Sequence, residues 1–345
     1  MIRRRRGGTP TRRPSPQVDP HVVVITGGSS GVGRATAHAF AARGCAVALL
    51  ARNELALAAA ADEVRAAGGR ALVVPVDVAD AAAVEAAASL VEDELGPIDV
   101  WVNAAMATVL APVHDVSADE LQRTTDVTYL GTAHGSMAAL RRMRPRDLGA
   151  IVQVGSTLAY RAIPFQAPYC GAKFAVRGFT ESLRTELLRD GSNVHVTEVH
   201  LSAVNTPHFV VCRSRQGFRT RPVPPTFTPE VAAAGVVWAA THRRRELWVG
   251  YPAVVGILAS KLLPGVGDRV LAWRGVELQL THTAVDPGRQ DNLFAPVDFD
   301  PGTIGPGTGR TWGWSSQLWL SAHRRPLAAA AGAVAAAAAG LTRRR

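Results

Sequence analysis

Cysteine is scarce: Cys45, Cys170 and Cys212 lie far apart, are odd in number and form no CxxC pair. That argues against a disulfide framework or a structural zinc site and fits a reducing cytoplasm. His114, His134, His195, His200 and His208 stand at no HExxH or other metal-binding spacing and read as core or surface histidines. No internal repeat is apparent. Ser156 lacks the second glycine of a G-x-S-x-G elbow, which disfavours an esterase. The N-terminal arginines are followed only by the short apolar run Val22 to Ile25, too short for a secretory signal.

Acidic residues are absent from residues 301–345, which carry +6, and residues 1–20 carry +5, so 21–300 is left at −1 within a total of +10. The basicity belongs to two tails, and the body has no excess charge with which to grip nucleic acid. With 47% apolar and 19% charged residues the chain is globular in composition. Residues 1–20, with Arg3 to Arg6, Arg12 and Arg13 among prolines, read as a basic disordered arm. Residues 286–345 read as a Pro/Gly-rich and then Ala-rich basic tail, leaving 21–285 as the compact domain. The fifteen-residue apolar run 327–341 would reach only about 22 Å as a helix, short of the roughly 30 Å of a bilayer core. Trp312, Trp314, Trp319 and Leu320 beside arginines suit a lipid headgroup boundary, so weak peripheral contact through this tail is a minor reading beside a tail that touches nothing.

From residue 21, short apolar runs alternate with Ala-rich helical stretches. Strands are expected at Val22–Thr26, Ala46–Ala51, Ala71–Val76, Asp99–Asn103, Ala150–Gly155, Val194–Leu201 and Leu247–Val249. Their continuous apolar character is that of strands covered on both faces. The fold class is therefore α/β, a Rossmann-like doubly wound parallel sheet with helices on both faces. Ser117-Ala-Asp-Glu120 is a capping box opening a helix towards Arg144, another helix stops at Asp190-Gly191, and a third starts at Thr228-Pro229. Residues 202–227, proline-rich and without periodicity, read as a long loop of the lid or binding kind. Residues 251–285 look like a cover over the substrate.

The first strand runs into Thr26, Gly27, Gly28, Ser29, Ser30, Gly31, Val32 and Gly33, and a helix follows. Glycines there let the backbone turn tightly against a pyrophosphate whose charge the helix N-terminus stabilises. The second strand ends in Ala51-Arg52, where an NAD site normally offers a carboxylate. A cation instead favours the 2′-phosphate of NADP(H). Asp77, ending the third strand, is placed either to contact adenine or to cap a helix. Tyr169 and Lys173 are four residues apart on one helical face, and Ser156 lies thirteen residues before Tyr169 at the end of a strand. A phenol with an ordinary pKa near 10 works at neutral pH only beside a cation. Lys173 would supply that cation, Tyr169 would exchange the proton, and Ser156 would hydrogen-bond the developing oxyanion.

Taken together, Thr26 to Gly33, Asp77-Val78, Asn103-Ala104-Ala105, Ser156, Tyr169-Cys-Gly-Ala-Lys173 and Thr206-Pro207 resemble the short-chain dehydrogenase/reductase family in order and spacing over roughly residues 21–250. The resemblance implies about seven parallel strands, a carbonyl or alcohol substrate, and cofactor contacts from Val78, Asn103, Thr206 and Lys173. It also implies pairing of the helices spanning 117–144 and 168–189 into a homodimer or homotetramer. Three departures stand out. Met106 replaces the family's usual glycine after the fourth strand, Thr128 stands where a catalytic Asn is expected, and Leu201-Ser202 replaces Pro-Gly. A rival reading is a dinucleotide-binding sensor or scaffold with a weakened proton relay.

Overall fold

In the computed structural model, which describes residues 20–286, 288–307, 309–324 and 326–327, the apolar runs become strands β1 (Val22–Thr26), β2 (Ala46–Ala51), β3 (Arg70–Pro75), β4 (Val100–Asn103), β5 (Ala150–Ser156), β6 (His195–Leu201) and β7 (Glu246–Val249). They form one parallel sheet in the order β3-β2-β1-β4-β5-β6-β7. β1 pairs with β2 on one side, Val22 opposite Ala46, and with β4 on the other, Val23 opposite Val100. Side chains alternate between two cores: Val23 and Ile25 pack into one, Val22 and Val24 into the other. Both faces must therefore be covered, and the helices do this.

Helices α1 (Gly31–Ala41), α2 (Glu54–Ala66) and α7 (Pro229–Thr241) cover one face. The other is covered by α3 (Ala81–Leu95), α5 (Gly131–Arg146) and α6 (Ala167–Arg189). Side-chain caps set several starts: Asn53 accepts from Ala56 N, and Asp80 accepts from Ala82 N and Ala83 N. The Ser117–Glu120 capping box forms as the sequence suggests. The helix it opens is not continuous, however. α4 (Ala118–Thr125) passes through a π-helical turn, Asp126–Leu130, before α5 resumes.

The long stretch 202–227 contains a short helix, His208–Val211, and three short strands. Phe218–Thr220 pairs antiparallel with Leu280–Ala284, and Thr226–Phe227 pairs with Thr311–Trp312. Between them α8 (Tyr251–Leu262) and α9 (Pro264–Arg274) lie over the carboxyl end of the sheet, with Pro252 and Leu271 reaching the central cavity.

The expected end of the compact domain near residue 285 does not match the packing. Leu293 is wholly buried in the second core, and Val297 is buried as well. The segment 291–305 crosses the carboxyl ends of β1 and β2 and is tied down mainly through its backbone carbonyls. Hydrophobic periodicity reports side-chain burial, so a Pro/Gly/Asp-rich strap held by its main chain gives no such signal. The chain stays attached beyond it: Thr228 N donates to Trp312 O and Arg244 donates to Ser321 O. Trp312, Trp314, Trp319 and Leu320 are exposed. The arm before residue 20, and the run 327–341 apart from Leu327, lie outside the described residues. Among the described residues no helix is long and apolar enough to cross a membrane.

Leu293→Ala should therefore destabilise the protein by about 2–5 kcal/mol, as core truncations do. Trp273→Ala, at an exposed position, should change stability by no more than about 0.5 kcal/mol. Chemical denaturation of both variants checks this, and equal midpoints would show that the strap does not belong to the core.

Candidate active site

The turn after β1 is built so that only glycine fits at its crossing points. Gly27 has φ +69°, and a Cβ there would lie 2.8 Å from the Ala105 backbone. At Gly33 a Cβ would come within 2.2 Å of Gly27 O, so the first turn of α1 can pack this closely on the loop only without a side chain. Gly27, Ser29, Ser30, Gly31, Val32 and Gly33 line a cavity of about 440 Å³ that runs along the carboxyl edge of the sheet. The N-terminus of α1 opens onto it, which suits an anionic group. Thr26 does not reach the cavity. Its hydroxyl accepts from Ala104 N and Ala105 N and so binds the end of β1 to the loop after β4. This cradle, with Asp77 and Val78 at one end and Thr206 beside Gly31, fits a dinucleotide.

Ser156, Tyr169 and Lys173 converge on the same cavity. Ser156 ends β5, its hydroxyl accepting from Leu158 N and sharing a hydrogen bond with Tyr169. Tyr169 and Lys173 sit in the first two turns of α6, which starts with Pro168 at its head. Both are almost fully buried. Lys173 Nζ donates to Val154 O at 2.7 Å and lies 5.6 Å from the centre of the Tyr169 ring. Burial raises the Tyr169 pKa, and the bond with Ser156 works against that rise. Burial also pulls Lys173 down to about 8, opposed by the nearby Glu198 carboxylate. A buried phenol beside a buried ammonium is an arrangement in which the phenolate left by proton loss can be stabilised.

Besides Thr26, two further expected site residues do not reach the cavity. Asn103 donates to Ser136 at 3.2 Å and to Gln153 at 2.8 Å and accepts from Trp101 Nε1, which completes a buried polar network under β4. Thr128, in the π-helical turn, is wholly buried, and its hydroxyl both donates to Ala107 O and accepts from Ala107 N. Both its hydrogen-bonding roles are filled by one residue, so it pins the loop after β4 and has no proton left to pass to a water. Asp77 does line the cavity, but its carboxylate is also engaged by Arg123 and by Ala79 N. Met106 lies in the cavity wall.

Arg52 lines the cavity too, with a second employment that the sequence did not suggest. Its guanidinium donates to the carbonyls of Asn292, Leu293 and Phe294, while Asn53 Nδ2 donates to Val297 O and Phe299 O, each at 2.9 Å. Asp300 pairs at 2.6 Å with Arg34, which Glu63 also holds, and Gly302 O accepts from Gly31 N at 3.1 Å. The strap thus forms the outer wall of the cradle, contributing Asn292, Pro296, Val297 and Pro301 to its lining.

His200, read from the sequence as a core or surface histidine, is buried behind Ser156 in a polar cluster with Glu198, Glu246 and Tyr160, which the sequence did not single out. The available signal was the pair of ionisable residues two apart in a strand expected to be buried on both faces. Tyr160 donates to Glu246 at 2.5 Å and packs edge-on against His200.

A seven-stranded parallel sheet with this Gly-rich turn and a Ser-Tyr-Lys site defines the class of protein. The family model of the short chain dehydrogenases matches residues 21–217, and the chain belongs to that family of oxidoreductases. It is 31% identical over 316 residues to YxnA of Bacillus subtilis (strain 168), an oxidoreductase described as uncharacterized, covering 90% of this chain and 87% of that protein. It is 29% identical to the 3-ketodihydrosphingosine reductase of Bos taurus over 75% of this chain and 79% of that one. Among solved structures it is similar to an alcohol dehydrogenase from the archaeon Thermococcus sibiricus complexed with 5-hydroxy-NADP. The TM-score is 0.58 at 26% identity, over 67% of this chain and 96% of that one.

If side-chain donors hold the strap, the double substitution Arg52→Ala, Asn53→Ala, which deletes five donations to its carbonyls, should loosen it locally without unfolding the sheet. Limited trypsinolysis, followed by mass spectrometry, should then cut after Arg289 several-fold faster than in the parent protein. Unchanged cleavage would show that apolar packing alone retains the strap.

Proposed function

We propose that the protein is an NADP(H)-dependent reductase of a bulky, apolar carbonyl compound. The observation that carries this is the convergence of Ser156, Tyr169 and Lys173 on one cavity with the Gly-rich turn and Arg52. When bound, the nicotinamide supplies the hydride. In reduction, Tyr169 gives its phenolic proton to the carbonyl oxygen, Ser156 donates a hydrogen bond to that oxygen, and the Lys173 ammonium stabilises the phenolate left behind. The reverse direction oxidises an alcohol by the same steps.

The substrate end of the cavity is walled by Leu158, Ile163, Phe209, Val223, Leu271 and Leu278, with Gln166, His208 and Arg221 among its polar members. Such a lining selects apolar area and offers few hydrogen bonds, which supports a lipid-like or aromatic carbonyl. The name of the bovine relative, 3-ketodihydrosphingosine reductase, supports that choice. Cys170 and Cys212, both buried thiols, support a reducing compartment such as the cytoplasm. Exposed Leu121 and Met137 on α4 and α5, and Phe174 on α6, support pairing of these helices in a homodimer or homotetramer.

Two measurements test the reading. Tyr169→Phe should lower NADPH-dependent turnover of a hydrophobic ketone by about 10²-fold or more while leaving NADPH affinity nearly intact, and Lys173→Ala should damage both. Turnover retained in Tyr169→Phe would remove this chemistry, and no turnover by the parent protein on any of a broad ketone and aldehyde panel would favour the sensor.

For cofactor choice, a charged hydrogen bond to the 2′-phosphate contributes about 1.5–3 kcal/mol. NADPH should therefore bind at least about tenfold tighter than NADH. Arg52→Ala should erase the preference, whereas Asn53→Ala, which loosens the strap but keeps the cation, should preserve it. Equal affinities in the parent protein would exclude Arg52 as the selector.

A further inference from the structure

Behind the catalytic serine, β6 and β7 turn an unusual set of polar side chains inwards. Glu198 and His200 point to the same side of β6, and their register partners on β7 are Glu246 and Trp248. On the other side β6 pairs with β5, where Gln153 stands opposite Glu198, Val154 opposite Val199 and Gly155 opposite His200. Gly155 makes the room: a Cβ there would meet Glu198 Oε1 and His200 Nδ1, each at 2.9 Å. Glu198 is 1% exposed and His200 is fully buried. Nevertheless Glu198 Oε1 and His200 Nε2 have no hydrogen-bond partner. His200 Nδ1 lies 3.2 Å from the carbonyl oxygen of Ser156 and 3.7 Å from Glu198 Oε1, and its Nε2 is 3.9 Å from Glu246.

An unpaired buried carboxyl is costly and is retained only where something offsets it. The charged groups that face Glu198 are Lys173, Arg177 and Arg184 from α6 and Glu246 from β7. Arg177 is drawn aside by Glu181 and by the face of the Tyr160 ring, and Arg184 by Arg245 O. Arg245 pairs with Glu181 and Glu246. Glu246 itself is held ionised despite burial by hydrogen bonds from Tyr160, Trp248 and Arg245. His200 is kept neutral by its burial. Lys173 remains as the foremost cation acting on Glu198, and Glu198 as the charged group acting on Lys173. The Lys173 ammonium rests on Val154 O, one residue before Gly155.

Building on the reductase reading, we propose that Glu198 is a positioning residue: its buried carboxylate, lodged beside Gly155 and His200, is the counter-charge that keeps Lys173 cationic next to Tyr169. The reaction needs Lys173 as an ammonium, so activity falls as pH rises through the pKa of Lys173. That pKa stands at about 8, and burial pushes Glu198 up to about 7, so the carboxylate is charged in the range where Lys173 would otherwise lose its proton. Removing the Glu198 charge must bring the alkaline fall to lower pH. Removing Glu246, which acts on a Glu198 already ionised in that range, must leave the fall in place.

The test is the pH dependence of kcat/KM for Glu198→Gln and Glu246→Gln. The alkaline limb should shift acidward by about one unit in the first and stay in place in the second. A purely structural role would scale both profiles without displacing them, and that result overturns the proposal. A second measurement uses cofactor-free protein, in a stability cycle combining Glu198→Gln with Lys173→Met. Glu198 has a raised folded pKa, so the stability it contributes is complete below its ordinary 4.5 and lost as pH rises to about 7. Without Lys173 that pKa rises further and the loss extends to higher pH. At pH 8 Glu198→Gln should therefore be more favourable in the Lys173→Met background than alone. Additive effects would overturn the pairing. Tyr169→Phe separates the two failures: if it keeps its turnover, the reductase reading falls, while the stability cycle still decides the Glu198 pairing.

Discussion

Everything at this site depends on β1 having a partner on each side. Because β1 pairs with β2 and with β4, the chain leaves the two neighbouring strand ends towards opposite faces of the sheet, α1 to one and the α4–α5 helix to the other. A crevice opens between them at the carboxyl edge, the usual ligand position in such sheets. Its width is set by contacts that forbid side chains. Gly27 rests against the Ala105 backbone and Gly33 against Gly27 O, while Thr26 fastens the end of β1 to the loop after β4. Ser156 reaches the same crevice because β5 is the next strand along, and α6 returns Tyr169 and Lys173 to its mouth.

The strap adds a second constraint. Arg52 gives its donors to three backbone carbonyls, and Gly31 N, at the helix N-terminus that suits a phosphate, is already taken by Gly302 O. An anion entering here meets donors that are occupied but by neutral acceptors: at Gly31 N a charged acceptor forms roughly twice as strong a bond, and at Arg52, whose bonds are already charge-assisted, it adds an ion pair. Exchange of carbonyl for phosphate is therefore downhill electrostatically, provided that the strap can yield locally while Leu293 keeps its end anchored in the core. The same residues that would bind the cofactor thus also hold the wall that encloses it.

The fold was legible because its cues are side-chain cues. Continuous apolar strands, the capping box at Ser117 and the Gly-rich turn each report local physics, and the strands fall within a residue or two of where the pattern places them. Ser156, Tyr169 and Lys173 were legible by spacing, since a helix brings residues four apart to one face. Asn103 and Thr128 were assigned by position in the family pattern, and their surroundings differ. Trp101, Ser136 and Gln153 saturate Asn103, and a π-helical turn presents the Thr128 hydroxyl to Ala107. The strap was illegible because main-chain carbonyls, which every residue possesses, make most of its contacts.

Lys173 shows why the polar cluster behind the site is more than ornament. Burial takes its pKa from 10.5 to about 8. At about 1.4 kcal/mol per unit, holding the ammonium in place costs roughly 3 kcal/mol. The carbonyl of Val154 offsets part of this by accepting a hydrogen bond, but a neutral acceptor stabilises an amine as well as an ammonium far less selectively than a carboxylate does. Tyr169 has the converse difficulty, because burial raises its pKa and its phenolate is the costly form. On the proposed mechanism, in which Tyr169 passes through a phenolate, the site needs its cation most at the moment the proton leaves. Deeper burial sharpens that need for both groups at once. A carboxylate behind the lysine that does not line the cavity, as proposed for Glu198, would meet it without competing for the oxyanion, and the absence of a side chain at Gly155 is what leaves space for it.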